Sequence, residues 1–187
     1  MKKLLFTFIL FGMGMSFVNA QSANYKDFEW DVIKLGYVLP GGDNLGAGGM
    51  GGMEFRLNVR DDLSIGLRTE TAAFDYEVDG DDFDVDATWS WAATADYYFN
   101  TTSAYRAYAG LGFGAFKEGN VKVKDSDLTV TEGVTSAGLI PRVGYEYNHL
   151  RLSAEYNIMM DGGVSNYFSI SAALTLWGGY KGGSKGE

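Results

Sequence analysis

LIPRVGYEYNHLRLSAEYNI, residues 139–158, reads as two alternating strands around a two-residue turn at Asn148 and His149. One face carries Leu139, Pro141, Val143, Tyr145 and Tyr147, then Leu150, Leu152, Ala154, Tyr156 and Ile158. The other carries Arg142, Gly144 and Glu146, then Arg151, Ser153, Glu155 and Asn157. Closing the hairpin at the turn sets Glu146 opposite Arg151, Gly144 opposite Ser153 and Arg142 opposite Glu155. Opposite charges directly across a strand pair stabilise it, and a one-residue slip would move every side chain to the wrong face. A sheet with an apolar, Tyr-rich wall on one side and self-paired charge on the other suits lipid outside and a charged interior.

The same alternation recurs along the chain. Strands are predicted near 30–39, 53–60, 63–74, 87–99, 105–116, 134–147, 150–159 and 167–177, each long enough to cross a bilayer when tilted. The connections alternate in length. Those at 40–52, 75–86, 117–133 and 160–166 are long, and those at 61–62, 100–104 and 148–149 are short. Segregating loop length by end is a property of outer-membrane barrels, with turns on the periplasmic side and long loops outside. The predicted fold is therefore all-β: an eight-stranded antiparallel up-and-down transmembrane β-barrel. Alternation alone leaves a soluble, ligand-binding barrel open. The lipid-facing reading follows from mid-strand charges, from glycines on the charged face, and from aromatics near strand ends. Trp30, Tyr97, Phe99, Tyr145, Tyr147, Tyr167, Phe168 and Trp177 form the predicted interfacial girdle.

The inward set comprises Lys34, Arg56, Arg60, Arg68, Arg106, Arg142 and Arg151 against Glu54, Glu70, Asp96, Glu146 and Glu155, seven positive against five negative. Eight strands enclose a space that side chains just fill, so a salt-bridged plug is expected. The alternative is a narrow path biased toward anions by the positive excess. In the second hairpin, Val59 opposite Leu63 would place Glu54 opposite Arg68. The register two residues away would oppose Arg56 to Arg68, like against like.

Residues 1–20 read as a cleavable signal peptide: Lys2-Lys3, an apolar run, then Val18-Asn19-Ala20. No cysteine occurs, so no lipid-anchored cysteine and no disulfide are expected. Removing the leader leaves 13 basic against 24 acidic residues, which argues against nucleic-acid binding. The expected organisation is a leader at 1–20, a barrel domain at 21–177 and a short periplasmic tail at 178–187.

Other motifs have plainer readings. Residues 75–86, DYEVDGDDFDVD, hold seven carboxylates in twelve positions. Asp79, Asp81, Asp82 and Asp84 are candidate calcium ligands, but the spacing lacks the glycine and terminal glutamate of a calcium loop, and a solvated, self-repelling loop is the plain alternative. Residues 121–124 and 128–131 read as a projecting hairpin whose edge could capture a partner by strand addition. Gly110, Gly112 and Gly114 lie within a strand, not in the strand-to-helix turn of a phosphate loop. His149, the single histidine, sits in a predicted periplasmic turn, far from any outer-face serine or carboxylate. No enzymatic role, catalytic residue, resident metal or cofactor is expected.

The leader, the YAGLGFG run at 108–114, the hairpin at 137–157 and the closing strand YFSISAALTLW at 167–177 together resemble the small outer-membrane β-barrel family, the OmpA-, OmpX- and OmpW-like porin-family barrels, in the variety common in Bacteroidota. The resemblance covers essentially the whole chain after the leader. It implies a monomeric protein of the bacterial outer membrane in contact with lipid and lipopolysaccharide, inserted by the barrel-assembly machinery, with a structural or porin-like role. Two other roles come with it: an OmpX-like adhesion or partner-binding barrel acting through loops 75–86 and 117–133, and an OmpW-like conduit for small apolar molecules. Barrels of this kind usually end on an aromatic residue that the assembly machinery reads; here ten residues follow Trp177.

Overall fold

A computed structural model describes residues 22–41, 46–74, 76–78, 81–85, 87–118, 121–123, 129–131, 134–161 and 164–181. The predicted leader and residues 182–187 of the predicted tail lie outside the described residues. Eight long strands form the wall: β1 (Phe28–Pro40), β2 (Gly48–Arg60), β3 (Leu63–Ala73), β6 (Thr88–Tyr98), β7 (Tyr105–Lys117), β10 (Thr135–Tyr147), β11 (Leu150–Met159) and β12 (Tyr167–Leu176). Each pairs antiparallel with the next, and β12 returns to β1, closing an up-and-down barrel. No helix among the described residues is long and apolar enough to cross a membrane.

The hairpin register is the one the charges dictate. Glu146 pairs with Arg151, Gly144 with Ser153 and Arg142 with Glu155. Asn148 turns the chain with a left-handed φ of 51°, a conformation asparagine tolerates better than most residues. Pro141 pairs toward β7, opposite Leu111, while the β10–β11 ladder passes over it, as its missing N–H requires. In the second hairpin Glu54 does face Arg68. The register then shifts beside the turn, so Arg60, not Val59, sits opposite Leu63.

Two departures from strict alternation matter. A bulge in β1 between Asp31 and Lys34 shifts the register against both neighbours. One extra residue in a strand changes which parity points inward. Glu29 and Asp31 therefore face the interior below the bulge, and Lys34 and Val38 face it above. The shift between Asn58 and Arg60 has the reverse effect and turns Arg60 out.

At the long-loop end lies a second, four-stranded sheet made of β4 (Tyr76–Val78), β5 (Asp81–Val85), β8 (Val121–Val123) and β9 (Thr129–Thr131), in that spatial order. Of the expected 121–131 hairpin, β8 and β9 pair antiparallel, and the residues between them lie outside the described ones. Within the stretch 75–86, read above as a self-repelling loop, β4 and β5 instead pair antiparallel, and β5 pairs with β8. Its acidic residues alternate with Tyr76, Val78, Phe83 and Val85, which favour extended backbone. The register sets Asp84 opposite Lys122.

Candidate functional site: the barrel interior

Inward positions at mid-wall carry charge because β strands send alternate residues to opposite faces, and the outward positions are apolar. Thirteen buried charged side chains fill the interior among the described residues. Six are basic (Lys34, Arg56, Arg68, Arg106, Arg142, Arg151) and seven are acidic. The acidic set is Glu29, Asp31, Glu54, Glu70, Asp96, Glu146 and Glu155. The expected positive excess is thus absent. Arg60 leaves the set, being exposed and paired with Asp62 at 2.9 Å, and Glu29 and Asp31 enter it through the bulge.

The pairs run across the lumen more than along the hairpins. Arg142 grips two carboxylates at once: Nη1 and Nη2 donate to Glu54 at 2.9 and 2.7 Å, while Nε and Nη2 donate to Asp96 at 2.7 Å each. Its cross-strand neighbour Glu155 is 3.9 Å away. Glu155 instead accepts from Lys34 at 2.7 Å and from Arg68. Glu54 and Arg68 face each other in register, yet each bonds elsewhere. Only Glu146 and Arg151, of the three charged pairs read from the sequence, bond directly. Glu146 also accepts from Arg56 at 2.5 Å and from Arg106 at 2.7 Å. The cause is geometric: guanidinium groups are long enough to reach the axis of a narrow barrel, where acids from the opposite wall converge.

Aromatic rings complete this layer. The Arg106 guanidinium lies 3.7 Å from the Tyr98 ring centroid and 4.0 Å from that of Tyr25, and Arg151 lies 3.9 Å from that of Tyr108. Tyr108 fits because residue 144 is glycine. A Cβ there would collide with the Tyr108 ring and the Leu152 carbonyl.

Toward the long loops the interior changes character. Val38, Met50, Ala72, Ala92, Phe116, Ile140, Met159, Val164 and Tyr167 form a buried apolar cluster. Tyr167, expected in the outer girdle, faces inward and donates to Glu70 at 3.0 Å. It shares the parity of Ser169, Ser171 and Thr175, which are also buried.

At the short-turn end, residues flanking the wall fold across the mouth. Tyr25 bridges Tyr180, Lys181 N donates to the Asn24 carbonyl at 2.8 Å, and the Tyr25 hydroxyl donates to the Ser103 carbonyl at 2.5 Å. Residues 178–181 of the predicted tail therefore form part of this strap. Asp61 anchors its other half, accepting from Ser22 Oγ at 2.5 Å, Asn24 N at 2.8 Å and Asn24 Nδ2 at 2.8 Å. Those donors hold its carboxyl below the ordinary 3.8, against the opposing effect of partial burial. A depressed folded-state value means that this contribution is complete above the ordinary carboxylate range and is lost as pH falls through the lower folded value. The hydrogen-exchange protection factor of the Asn24 amide is expected to hold from neutral pH through the ordinary carboxylate range and to fall only below it. Asp61→Ala should abolish that acid-dependent step.

The outer wall is apolar. Leu35, Leu67, Trp91, Phe113, Val143 and Ile170 are each more than half exposed, a continuous belt that water would not tolerate. Of the other girdle residues, Trp30 stacks on Trp177 with ring centroids 5.6 Å apart and Tyr97 packs edge-on to Phe99 at 5.5 Å. Tyr145 and Tyr147 are outward and exposed, and Phe168 is half-buried. Trp89 and Tyr105, which the sequence reading left out, join the same surface. Asp79 and the side chains of Asp81, Asp82 and Asp84 lie outside the described residues, so the calcium reading has no geometry to meet. His149 Nδ1 lies 2.9 Å from the Thr175 carbonyl at the short-turn end.

No protein-family model matches the chain, and neither does any curated protein sequence. Solved structures do. Neisserial surface protein A is 20% identical, with a TM-score of 0.57 over 81% of this chain and 97% of that one. The outer membrane protein OprG of Pseudomonas aeruginosa is 15% identical, with a TM-score of 0.54 over 86% and 97%. The N-terminal β-barrel domain of Pseudomonas aeruginosa OprF is 15% identical, with a TM-score of 0.50 over 81% and 98%. An apolar outer wall around a charged, filled lumen, on this strand order, gives the chain the fold of the small eight-stranded outer-membrane β-barrels.

Proposed function

We propose that this protein is an integral component of a bacterial outer membrane with a structural role, and that its lumen is a plug. The long loops face outward and the strap faces the periplasm. One observation carries the reading: the interior is filled at three successive levels, by the strap with Tyr25, by the charge layer, and by the apolar cluster around Phe116. A conducting path needs a continuous aqueous gap, and each level removes it with different chemistry. The apolar cluster also speaks against a conduit for apolar molecules, since the chain's own side chains occupy the space such a molecule would need. The expected result in a planar bilayer is a barrel that migrates heat-modifiably on a gel yet shows no discrete conductance steps. Reproducible steps, altered in size by Glu155→Ala, would overturn the plug.

A second reading, partner binding at the outer face, is favoured by the joining of loops 75–86 and 117–133 into one sheet. The strands β4 and β9 at its margins offer backbone groups for strand addition. Deleting 121–131 should abolish cell or protein binding if this reading holds, and unchanged binding would end it. Neither reading gives the chain a catalytic role. Insertion by the barrel-assembly machinery and a monomeric state belong to the same proposal.

A further inference from the structure

We propose that the outer wall holds one anionic, phosphate-bearing membrane lipid in a groove at the long-loop rim, formed where β6, β7 and β10 run side by side. The inference rests on the outer-membrane reading above and names a ligand site on that surface. The groove encloses about 520 Å³ and is lined by Trp89, Trp91, Ala115, Lys117, Glu118 and Thr135, among others, a volume in the range of small-molecule sites.

Its shape follows from side-chain size. The register aligns Trp91 with Ala115 and Ala115 with Ala137, one indole beside two methyl groups. The next row outward aligns Trp89 with Lys117 and Lys117 with Thr135. Both indoles are more than half exposed, so they form a wall and Ala115 forms a floor. The inner row is apolar and suits an acyl chain. The outer row adds an ammonium and a hydroxyl, the donors a phosphate requires. Lys117 ends β7 and Thr135 begins β10, so this row marks the depth where the apolar belt gives way to the loops. That is the level of the lipid headgroups, where tryptophan also concentrates. Among the described residues, Glu118 is the one acid lining the groove. Partial burial raises its carboxyl above the ordinary range.

The test uses the refolded full chain in mild detergent, titrated with phosphatidylglycerol or with zwitterionic phosphatidylcholine and read by native mass spectrometry. One phosphatidylglycerol molecule should be retained with a preference of roughly tenfold, the scale of one charge-assisted contact. Lys117→Gln should erase the preference. Ala115→Trp, which fills the floor, should erase retention of both lipids, whereas Leu152→Trp on β11 should change nothing. Heat-modifiable migration checks that each variant is folded. Equal retention of the two lipids by the unaltered chain, undiminished retention by Ala115→Trp, or a second copy of the protein bound in place of lipid would each overturn the site. A chain with no heat-modifiable form would overturn the barrel reading instead, so the two failures are separable.

Discussion

Arg142→Met is expected to lower the stability of the refolded barrel by about 3–5 kcal/mol, the cost of leaving buried carboxylates without their counter-charge. Arg142 supplies four hydrogen bonds to Glu54 and Asp96, and all three side chains are buried. Asp96 keeps Arg151 as a partner, but Glu54 is left with the Thr94 hydroxyl at 2.7 Å. The loss should therefore fall mainly on Glu54, and adding Glu54→Gln should recover much of it. Urea unfolding in lipid vesicles, followed by tryptophan fluorescence, measures both variants, with stability taken from the midpoint and slope. A loss below about 1 kcal/mol, the scale of a solvent-screened pair, would mean that water reaches these groups. The filled-lumen reading would then fail.

Phe116→Ala is expected to cost about 3–5 kcal/mol by cavity formation in the apolar cluster. Phe116 is fully buried, edge-on to Tyr167 at 6.4 Å, and lies so near Gly138 that a Cβ there would meet its ring at 2.8 Å. The neighbouring wall is held by its own ladders, so the space cannot collapse. The variant should nevertheless stay silent in a planar bilayer, because the charge layer beneath is intact. Conductance appearing on this single change would show that the apolar cluster alone blocks the lumen and that the charge layer is permeable.

The hairpin at 139–158 was legible in full because a period of two and a two-residue turn leave one register that pairs its charges. The same reasoning recovered Glu54 opposite Arg68. It could not recover the partners themselves. Arg142 meets Glu54 across the lumen, 88 positions away in the chain, and a hairpin reading sees only the strand alongside. The bulge in β1 was also hidden, since Val32 and Ile33 carry no mark of an extra residue in a strand. Asp31 was missed for that reason, and Glu29 also because the predicted strand began at residue 30; with Arg60 turned out, the two acids reversed the sign of the charge balance. Tyr167 was a different kind of miss. Its parity with Ser169 and Ser171 already pointed inward, but its place near a strand end suggested the girdle. Ile140 of the apolar cluster was readable on the same ground, since it shares parity with Arg142, whereas Met50 lay in the stretch 40–52 assigned to a loop, which the structure makes the start of β2. The outer sheet could not be read, because pairing β5 with β8 joins two separate loops.

Seven of the eight junctions in the wall have a covalent link at one end, where a turn or loop joins the two strands. The junction of β1 with β12 has none; it is the seam of the hoop. The strap at the short-turn end continues that pairing beyond the wall, from Trp30 opposite Leu176 to Tyr25 opposite Tyr180, with Trp30 stacked on Trp177 between them. The two ends of the fold thus act as a noncovalent clasp at the one place where the hoop could fray sideways. The clasp can fasten only after the last strand has docked on the first, so its fastening marks the end of insertion, and any lateral opening must begin by undoing it.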